Sequence, residues 1–520
     1  MPETSSSPEG PRTPPDPARG RPNGPGASSL EPKAGTRCHC EDCFLSVYVL
    51  DAPRPTVCPF CQRRMKLESF PARPPAENRA ERNIEERLHR LYHPPPRVSM
   101  LLMAAGAILL LAIVIYLQLI NIEHYWYSPL VNIFSLVVGI FILTRFLFAA
   151  FYTAPASVGF EPPVTVSIPC YNEEKSIAQS IAQVFAQDYP HWKMEVVVVN
   201  DGSRDNTLEE MLKAQAAFPL LVIVDFERNR GLVYGMAAAS LMAHSDFIVF
   251  VDSDTFLMPN AVRKVIQGFV DPTVGGISGH TDVENTKVNL LTRMQDVRYY
   301  FSYTIMKAAE SVFGMVSCLP GCFSAYRRSC VLHVLDDWIH STCFGKVGNF
   351  GDDRSLTNFV LKDYRILYDS EAVATTLAPE NWKQYVRQQA RWMRSYAREV
   401  FRASKFMWRK HPIPALSWYV MMWMPIVEPL IILQALVIGP LLMGTVTMPY
   451  VVGVMAITLI WSMEHLRRTG RTDWWAGFFF TFSYALFFSW QIYYALATLR
   501  RAAWGTRGTG TGTATGGGVP

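Results

Sequence analysis

The chain has 520 residues, 49% of them hydrophobic and only 18% charged, with a formal net charge of +5. Ordinary soluble domains carry about 25% charged residues, and here the charges are unevenly spread: residues 412–463 hold one, Glu428, and residues 474–499 hold none. This excludes a plain soluble enzyme and a disordered chain, and a net +5 over this length is too small to point to nucleic acid.

Residues 1–36 contain nine prolines, five glycines and no apolar run. Such a stretch cannot bury enough surface to offset its ordering entropy, so disorder is expected. It has no apolar h-region and is not read as a signal peptide. Residues 37–70 follow, with five of the ten cysteines between Cys38 and Cys61. Cys40-x2-Cys43 and Cys58-x2-Cys61 lie fourteen residues apart, the spacing of a zinc ribbon. Two such knuckles offer four thiolates to a tetrahedral Zn²⁺. The alternating apolar residues between them read as a β-hairpin, and Cys38 and His39 are spare ligands. A structural cap or docking module is expected, with disulfide pairing as the alternative.

Residues 71–97 read as a linker, and residues 98–151 as two membrane spans. Ser99–Ile120 and Pro129–Ala150 have 22 residues each, the first uncharged and the second carrying only Arg145, near one end where it can snorkel. Arg82, Arg87, Arg90 and Arg97 precede the first span, and Asn121–Ser128 between the spans lacks Lys and Arg. By the positive-inside rule the N-terminus and the region after the second span are cytoplasmic. That location disfavours persistent disulfides.

Residues 152–385 read as an α/β domain. Val164–Ile168, Met194–Asn200, Leu221–Val224 and Asp246–Val251 are β-rich apolar runs separated by helical stretches, which predicts a largely parallel sheet. Ligands bind at the carboxyl ends of such strands. Two acidic clusters fall there: Asp201-Gly202-Ser203 and Asp252-Ser253-Asp254. No GxGxxG follows a strand and no P-loop occurs. Two carboxylates on one tight turn suit Mn²⁺ or Mg²⁺ and leave positions open for a diphosphate. Alone, the tripeptide equally suits two acids that face solvent.

Residues 386–411 follow as an amphipathic helix. Arginines 387, 391, 394, 398 and 402 fall on one helical face among aromatic residues, as expected at a lipid interface, with Arg391 and Arg394 near its start free to point elsewhere. Residues 412–503 read as a C-terminal membrane region: Ser417–Met443, Met448–His465 and the ambiguous Trp474–Leu499. Arg467, Arg468 and Arg471 are expected inside. A straight final helix would put Arg500 and Arg501 outside, so a broken or re-entrant one is expected, giving six passes, with five the alternative. Glu428, between Pro425 and Pro429, is an intramembrane acid expected to face a polar cavity, with a locally hydrogen-bonded acid the alternative. The Gly/Thr-rich tail 504–520 is expected to be disordered.

Five motifs occur in order: Pro169-Cys170-Tyr171-Asn172-Glu173-Glu174, Asn200-Asp201-Gly202-Ser203, Asp252-Ser253-Asp254, Gly351-Asp352-Asp353-Arg354 and Gln388-Gln389-Ala390-Arg391-Trp392. Over about residues 160–508 this set resembles the processive family 2 glycosyltransferases: the cellulose, chitin and hyaluronan synthases. Residues 351–358, 388–399 and Trp504–Gly508 look most like hyaluronan synthase. The resemblance implies a GT-A-type, Rossmann-like fold in the cytoplasm of a multi-pass protein of the cell membrane. It implies that Tyr171, Asn172, Glu173 and Asp201 hold uridine and that Asp252 and Asp254 address metal and diphosphate. Asp353 would be the catalytic base with Asp352 beside it; Gln388, Arg391, Trp392 and Arg394 would close over diphosphate and acceptor. Cys318 and Gly321 resemble the segment at the acceptor site. The implied reaction is inverting, Mn²⁺- or Mg²⁺-dependent polymerisation of UDP-sugars (UDP-GlcNAc, alone or with UDP-GlcA) with export of the polymer through the bilayer. Transfer of one sugar to a lipid phosphate, or a non-enzymatic scaffold or transporter, are the alternatives. One departure is the stretch 229–235, which lacks the Lys-Arg pair of hyaluronan and chitin synthases. Without the other motifs, Asp352-Asp353-Arg354 would read as a helix N-cap.

Overall fold

The computed structural model of the chain describes residues 35–70, 129–343, 346–347, 352–443, 448–470 and 473–499, with isolated helical positions between 105 and 119. The Pro-rich segment up to residue 34, the linker 71–97, most of Ser99–Ile120, the loop 121–128, residues 500–503 and the tail 504–520 lie outside the described residues.

Eleven strands form one sheet in the order β3-β1-β2-β6-β5-β4-β7-β10-β9-β13-β8. They are β1 (Gly35–Cys40), β2 (Leu45–Val49), β3 (Lys66–Phe70), β4 (Val164–Cys170), β5 (Met194–Asn200), β6 (Leu221–Phe226), β7 (Phe247–Val251), β8 (Thr255–Leu257), β9 (Val274–Val283), β10 (Phe323–Arg327) and β13 (Arg365–Thr376). A separate pair is formed by β11 (Thr342–Cys343) and β12 (Lys346–Val347). The valine-rich β4, β5 and β7 are buried on both faces, and their side chains divide by the two-residue period of a strand. Val196 and Val198 join one apolar cluster with Val166 and Val249, while Val197 and Val199 join the other with Phe250. Each such side chain contributes on the order of 1.5–3 kcal/mol when fully buried.

The parallel arrangement is confined to β6-β5-β4-β7 and to β9–β13. The expected largely parallel sheet is therefore mixed, because β10 runs antiparallel to both β7 and β9. Phe323, the first residue of β10, pairs with Val251, the last of β7. The chain thus enters β10 beside the carboxyl end of β7, which brings the 318–322 segment over Asp252.

The cysteine-bearing segment docks on the edge of the α/β sheet. Strand β2 pairs antiparallel with β6, Leu45 opposite Phe226 and Tyr48 opposite Ile223, so β1–β3 extend the same sheet. Cys38, Cys40 and Cys58 lie in one apolar cluster with Val222, Val224 and Phe226.

Among the described residues, two helices, Pro129–Ala150 and Pro412–Leu442, are long and apolar enough to cross a membrane. Arg145 does not snorkel: it is buried, donates to Ser417 Oγ on the other helix, and lies 5.1 Å over the Phe141 ring. Met448–Thr469 is a further helix of 22 residues. The stretch 474–499 is interrupted, with helix Ala476–Ser483, a wide turn Tyr484–Phe488 and a separate helix Gln491–Ala497.

Helix Trp382–Met407 starts four residues before the expected boundary at 386, capped by Asn381, whose side chain accepts from Gln384 N at 2.9 Å. Its arginine stripe meets protein rather than solvent or headgroups at its far end. Arg398 is buried, and Arg402 pairs with the buried Glu399 at 3.1 Å, donates to Ser355 Oγ at 2.9 Å and covers Phe359. Helical spacing identifies the face, and at its far end the counter-charge comes from Glu399 of the protein itself. Arg402→Glu is therefore expected to destabilise the fold by about 3 kcal/mol, since it leaves Glu399 buried without its partner. A thermal-unfolding shift with membrane binding unchanged checks this.

Candidate active site

The carboxyl ends of β4 and β7 open into a cavity of about 720 Å³. Asp252 and Asp254 leave β7 on a turn closed by Thr255 N donating to Asp252 O at 3.0 Å. Opposite them, Asp353 is the second residue of helix Asp352–Leu361, with its Oδ1 accepting from Arg354 N at 2.7 Å. Buried Thr357, one turn on, donates to Asp353 O at 2.7 Å and accepts from Leu319 N at 2.9 Å. One hydroxyl therefore ties the start of that helix to the 318–321 segment.

Of the residues singled out by sequence, Tyr171, Glu173, Asp252, Asp254, Cys318, Gly321, Asp353, Gln388, Arg391 and Trp392 line this cavity. Four do not. Asn172 has a left-handed backbone (φ 56°), and its Oδ1 accepts from Arg204 N, so it locks two loops together. Asp201 is buried, and its two carboxylate oxygens accept from Arg230 N (2.7 Å) and Gly231 N (2.9 Å). These residues shape the loops behind the cavity rather than its wall. Arg394 lies on the Trp382–Met407 helix outside the lining set. The Asp352 side chain lies outside the described residues.

The acidic cluster is tightly set. Burial, with Asp254 and Asp353 nearby, pushes Asp252 up to about 7, and Arg391 opposes the shift. Gly321 makes room for that carboxylate: a Cβ there would lie 3.0 Å from Asp252 Oδ1 and 3.2 Å from Oδ2. Gly321→Ala is expected to turn the carboxylate away and cost about tenfold in turnover, on the scale of a misplaced catalytic group. Steady-state rates of purified protein with unchanged unfolding temperature check this.

Two polar atoms on the cavity wall, Gln388 Oε1 and Arg391 Nε, are buried with no hydrogen-bond partner. Sequence reasoning missed a second basic and aromatic wall on helix Leu290–Phe301 and its continuation to Ser311. Tyr299, Tyr303 and Lys307 line the cavity at four-residue intervals, Arg298 beside them. The run Ser302–Lys307 is a π-turn, a feature frequent at functional sites. Lys307 donates to Cys318 O, and burial pushes its ammonium pKa down. The four-residue spacing of these residues was a readable signal, but no motif drew attention to it.

The four thiols Cys40, Cys43, Cys58 and Cys61 form a separate cluster. Their Sγ atoms all lie within 4.8 Å of one another, and Cys40 and Cys61 are 3.6 Å apart. A ZnS₄ tetrahedron with bonds of about 2.3 Å has edges of about 3.8 Å. The donor set and its spacing fit a thiophilic cation.

Residues 162–395 match the family described as "Glycosyltransferase like family 2". The hyaluronan synthase of Streptococcus pyogenes is 31% identical over 304 residues, which cover 57% of this chain and 71% of that protein. An N-acetylglucosaminyltransferase of Azorhizobium caulinodans is 35% identical over 242 residues, 46% of this chain and 61% of that one. Among solved structures, the mannosyltransferase PcManGT of Pyrobaculum calidifontis in complex with GDP-Man and Mn²⁺ is 19% identical with a TM-score of 0.47, covering 69% of this chain and 99% of that one.

Proposed function

This chain belongs to glycosyltransferase family 2, and from that membership we infer that it is a membrane-embedded, processive, inverting transferase. It uses UDP-sugars, UDP-GlcNAc alone or with UDP-GlcA, to build an extracellular polysaccharide of hyaluronan or chitin type. The observation that carries this reading is the meeting of three separate elements at one cavity. Asp252 and Asp254 come from the end of β7, Asp353 from a helix start, and Gln388, Arg391 and Trp392 from the Trp382–Met407 helix.

The chemistry assigns each a part. Displacing UDP from the anomeric carbon with inversion needs the acceptor hydroxyl to lose a proton, and Asp353 takes it. Asp252 and Asp254 would hold Mn²⁺ or Mg²⁺, which offsets charge developing on the leaving diphosphate. Arg391, whose Nε lacks a partner in the protein, binds the same diphosphate, and Gln388, whose unpartnered Oε1 is an acceptor, takes a hydroxyl of the acceptor sugar. Tyr171 and Glu173 border the nucleotide, and Trp392 offers the acceptor sugar an apolar face. Asn172 and Asp201 position the nucleotide loops from behind. Cys40, Cys43, Cys58 and Cys61 would hold structural Zn²⁺.

Processivity and export draw support from how the cavity wall joins the apolar helices. Pro425 has no N–H, so the carbonyl of Met421 loses its helical partner. Tyr396 of the cavity wall donates its hydroxyl to that carbonyl at 2.5 Å. The catalytic wall is thereby fastened to the helix that carries Glu428, which we assign to a polar path for the polymer. The α/β domain and N-terminus are cytoplasmic in this reading.

Incubating the purified full chain in lipid with labelled UDP-GlcNAc, with and without UDP-GlcA, plus Mn²⁺ or Mg²⁺, tests the donor. Polymer from UDP-GlcNAc alone indicates a chitin-like product, and polymer only from both indicates hyaluronan. No UDP release under any condition overturns the reading.

A further inference from the structure

We propose that the Cys40/Cys43/Cys58/Cys61 metal centre sets the affinity for the donor nucleotide, by bracing the 226–234 segment through Phe44 and Phe60. This rests on the assignment of the β4 and β5 carboxyl ends to the nucleotide. It adds a second metal with a role at a distance, and names Phe60 as a positioning residue.

The physical chain has four links. The first is the metal centre itself. Each cysteine loop ends on a residue held in the left-handed region: Phe44 (φ 52°) follows Cys43, and Gln62 (φ 58°) follows Cys61. Such a backbone is costly for residues with a side chain and persists only where the surroundings over-determine it. Four thiolates on one cation supply that constraint.

The second link is the aromatic residue that each loop presents. Phe44 lies under the Arg228 guanidinium at 5.4 Å, and its carbonyl accepts from Glu227 N at 3.2 Å. Phe60, between Cys58 and Cys61, lies 5.5 Å from the Arg230 guanidinium and packs against Phe226 (6.1 Å) and Tyr234 (6.4 Å). Both loops therefore press on one short segment, and β2–β6 pairing holds them in register with it.

The third link is the close fit of that segment against the end of β5. A Cβ on Gly202 would come within 2.5 Å of Arg228 C and Asn229 N, so the two backbones are in direct apposition. Asn229 Nδ2 donates to Asp201 O at 3.1 Å, and Arg230 N and Gly231 N donate to the Asp201 carboxylate. The fourth link crosses to the cavity wall. Ser203, two residues after Asp201, accepts from Asn172 N at 2.9 Å, and Asn172 lies between Tyr171 and Glu173, both of which line the cavity. Leu232, at the end of the braced segment, lines it as well.

The four thiols belong to the segment at the end of the sheet, and none of them lines the cavity. Its loss frees two loops, and the arginines stacked on them release the backbone that holds Asp201. The expected signature is weaker donor binding with an intact chemical step.

The test uses the full chain in lipid, with zinc measured by elemental analysis and UDP affinity measured by calorimetry in Mg²⁺. Wild type is expected to hold one zinc per chain. Zinc extraction with a mercurial, followed by thiol regeneration, is expected to weaken UDP binding, and zinc return to restore it. Phe60→Ala is expected to keep its zinc yet weaken UDP binding and raise the donor KM about fivefold, the scale of one lost aromatic and cation–π contact, with kcat little changed. Phe60→Tyr is expected to restore both. Cys58→Ser/Cys61→Ser is expected to lose zinc and show the larger shift; should that variant fail to fold, Phe60→Ala still decides. Wild type without zinc, or UDP affinity unchanged by zinc removal and by Phe60→Ala, overturns the coupling and leaves the transferase reading intact. Failure of zinc-loaded wild type to bind UDP overturns both.

Discussion

Asp353→Asn is expected to lower kcat by about 10³-fold, in the range lost with a positioned general base, while UDP affinity stays within about threefold because the role proposed for Asp353 is toward the acceptor hydroxyl and not the nucleotide. The substitution is close to isosteric. Asn Oδ1 can still accept from Arg354 N, the bond that Asp353 Oδ1 makes at 2.7 Å, and Thr357 still bonds the residue 353 carbonyl. The helix start and its tie to Leu319 therefore survive, and basicity alone is removed. Single-turnover UDP release, read beside calorimetric UDP binding, separates the two effects. A variant that releases UDP at the wild-type rate would remove Asp353 from the role of base.

Arg391→Ala is the second large effect. Arg391 stands near Asp252, whose carboxyl is already pushed up by burial and by two neighbouring acids, and its Nε has no partner in the protein. Without the guanidinium the cavity loses a positive group that opposes this repulsion, and the leaving diphosphate loses a donor. A loss of about 10²–10³ in kcat is expected, as for removal of one preorganised donor to developing negative charge. Arg391→Lys should recover part of it, since an ammonium keeps the charge but not the planar fork. Unfolding temperature should be unchanged in both variants. Arg402→Glu should do the reverse and lower the unfolding temperature through Glu399. If the two sites respond alike, the division between a catalytic start and a structural end of this helix is wrong.

What was legible in the sequence was contiguous. Asp252-Ser253-Asp254, Gly351-Asp352-Asp353-Arg354 and Gln388–Trp392 are short motifs at element boundaries, and each described side chain among those singled out from them lines the cavity. The central strands were legible because β4, β5 and β7 are buried on both faces and read as unbroken apolar runs. Features that depend on pairing across distance were not. Strand β2 adds to the edge at β6 through backbone bonds, which leave no trace in side-chain pattern, so the cysteine module looked separate. Asp201 stands out by its motif, but its bonds to Arg230 N and Gly231 N, on a loop some thirty residues away, do not. Arg145 and the far end of the arginine stripe were misjudged for one reason. Periodicity identifies a face, but the partners that meet it, Ser417 and Glu399, come from tertiary packing. Lys307 was hidden because a π-turn and a long helix carry it to the site without a motif.

Processive extension, the proposed activity, keeps the growing polymer in this cavity between additions. The most direct test is a pulse–chase in proteoliposomes at low enzyme concentration, with labelled donor followed by excess unlabelled donor and sizing of the product. Label is expected to move into progressively longer chains, with long product present while most donor remains, and this product is expected to become accessible to a glycosidase on the far side of the bilayer. Label confined to a single sugar on lipid, or to short chains that do not grow during the chase, would contradict it.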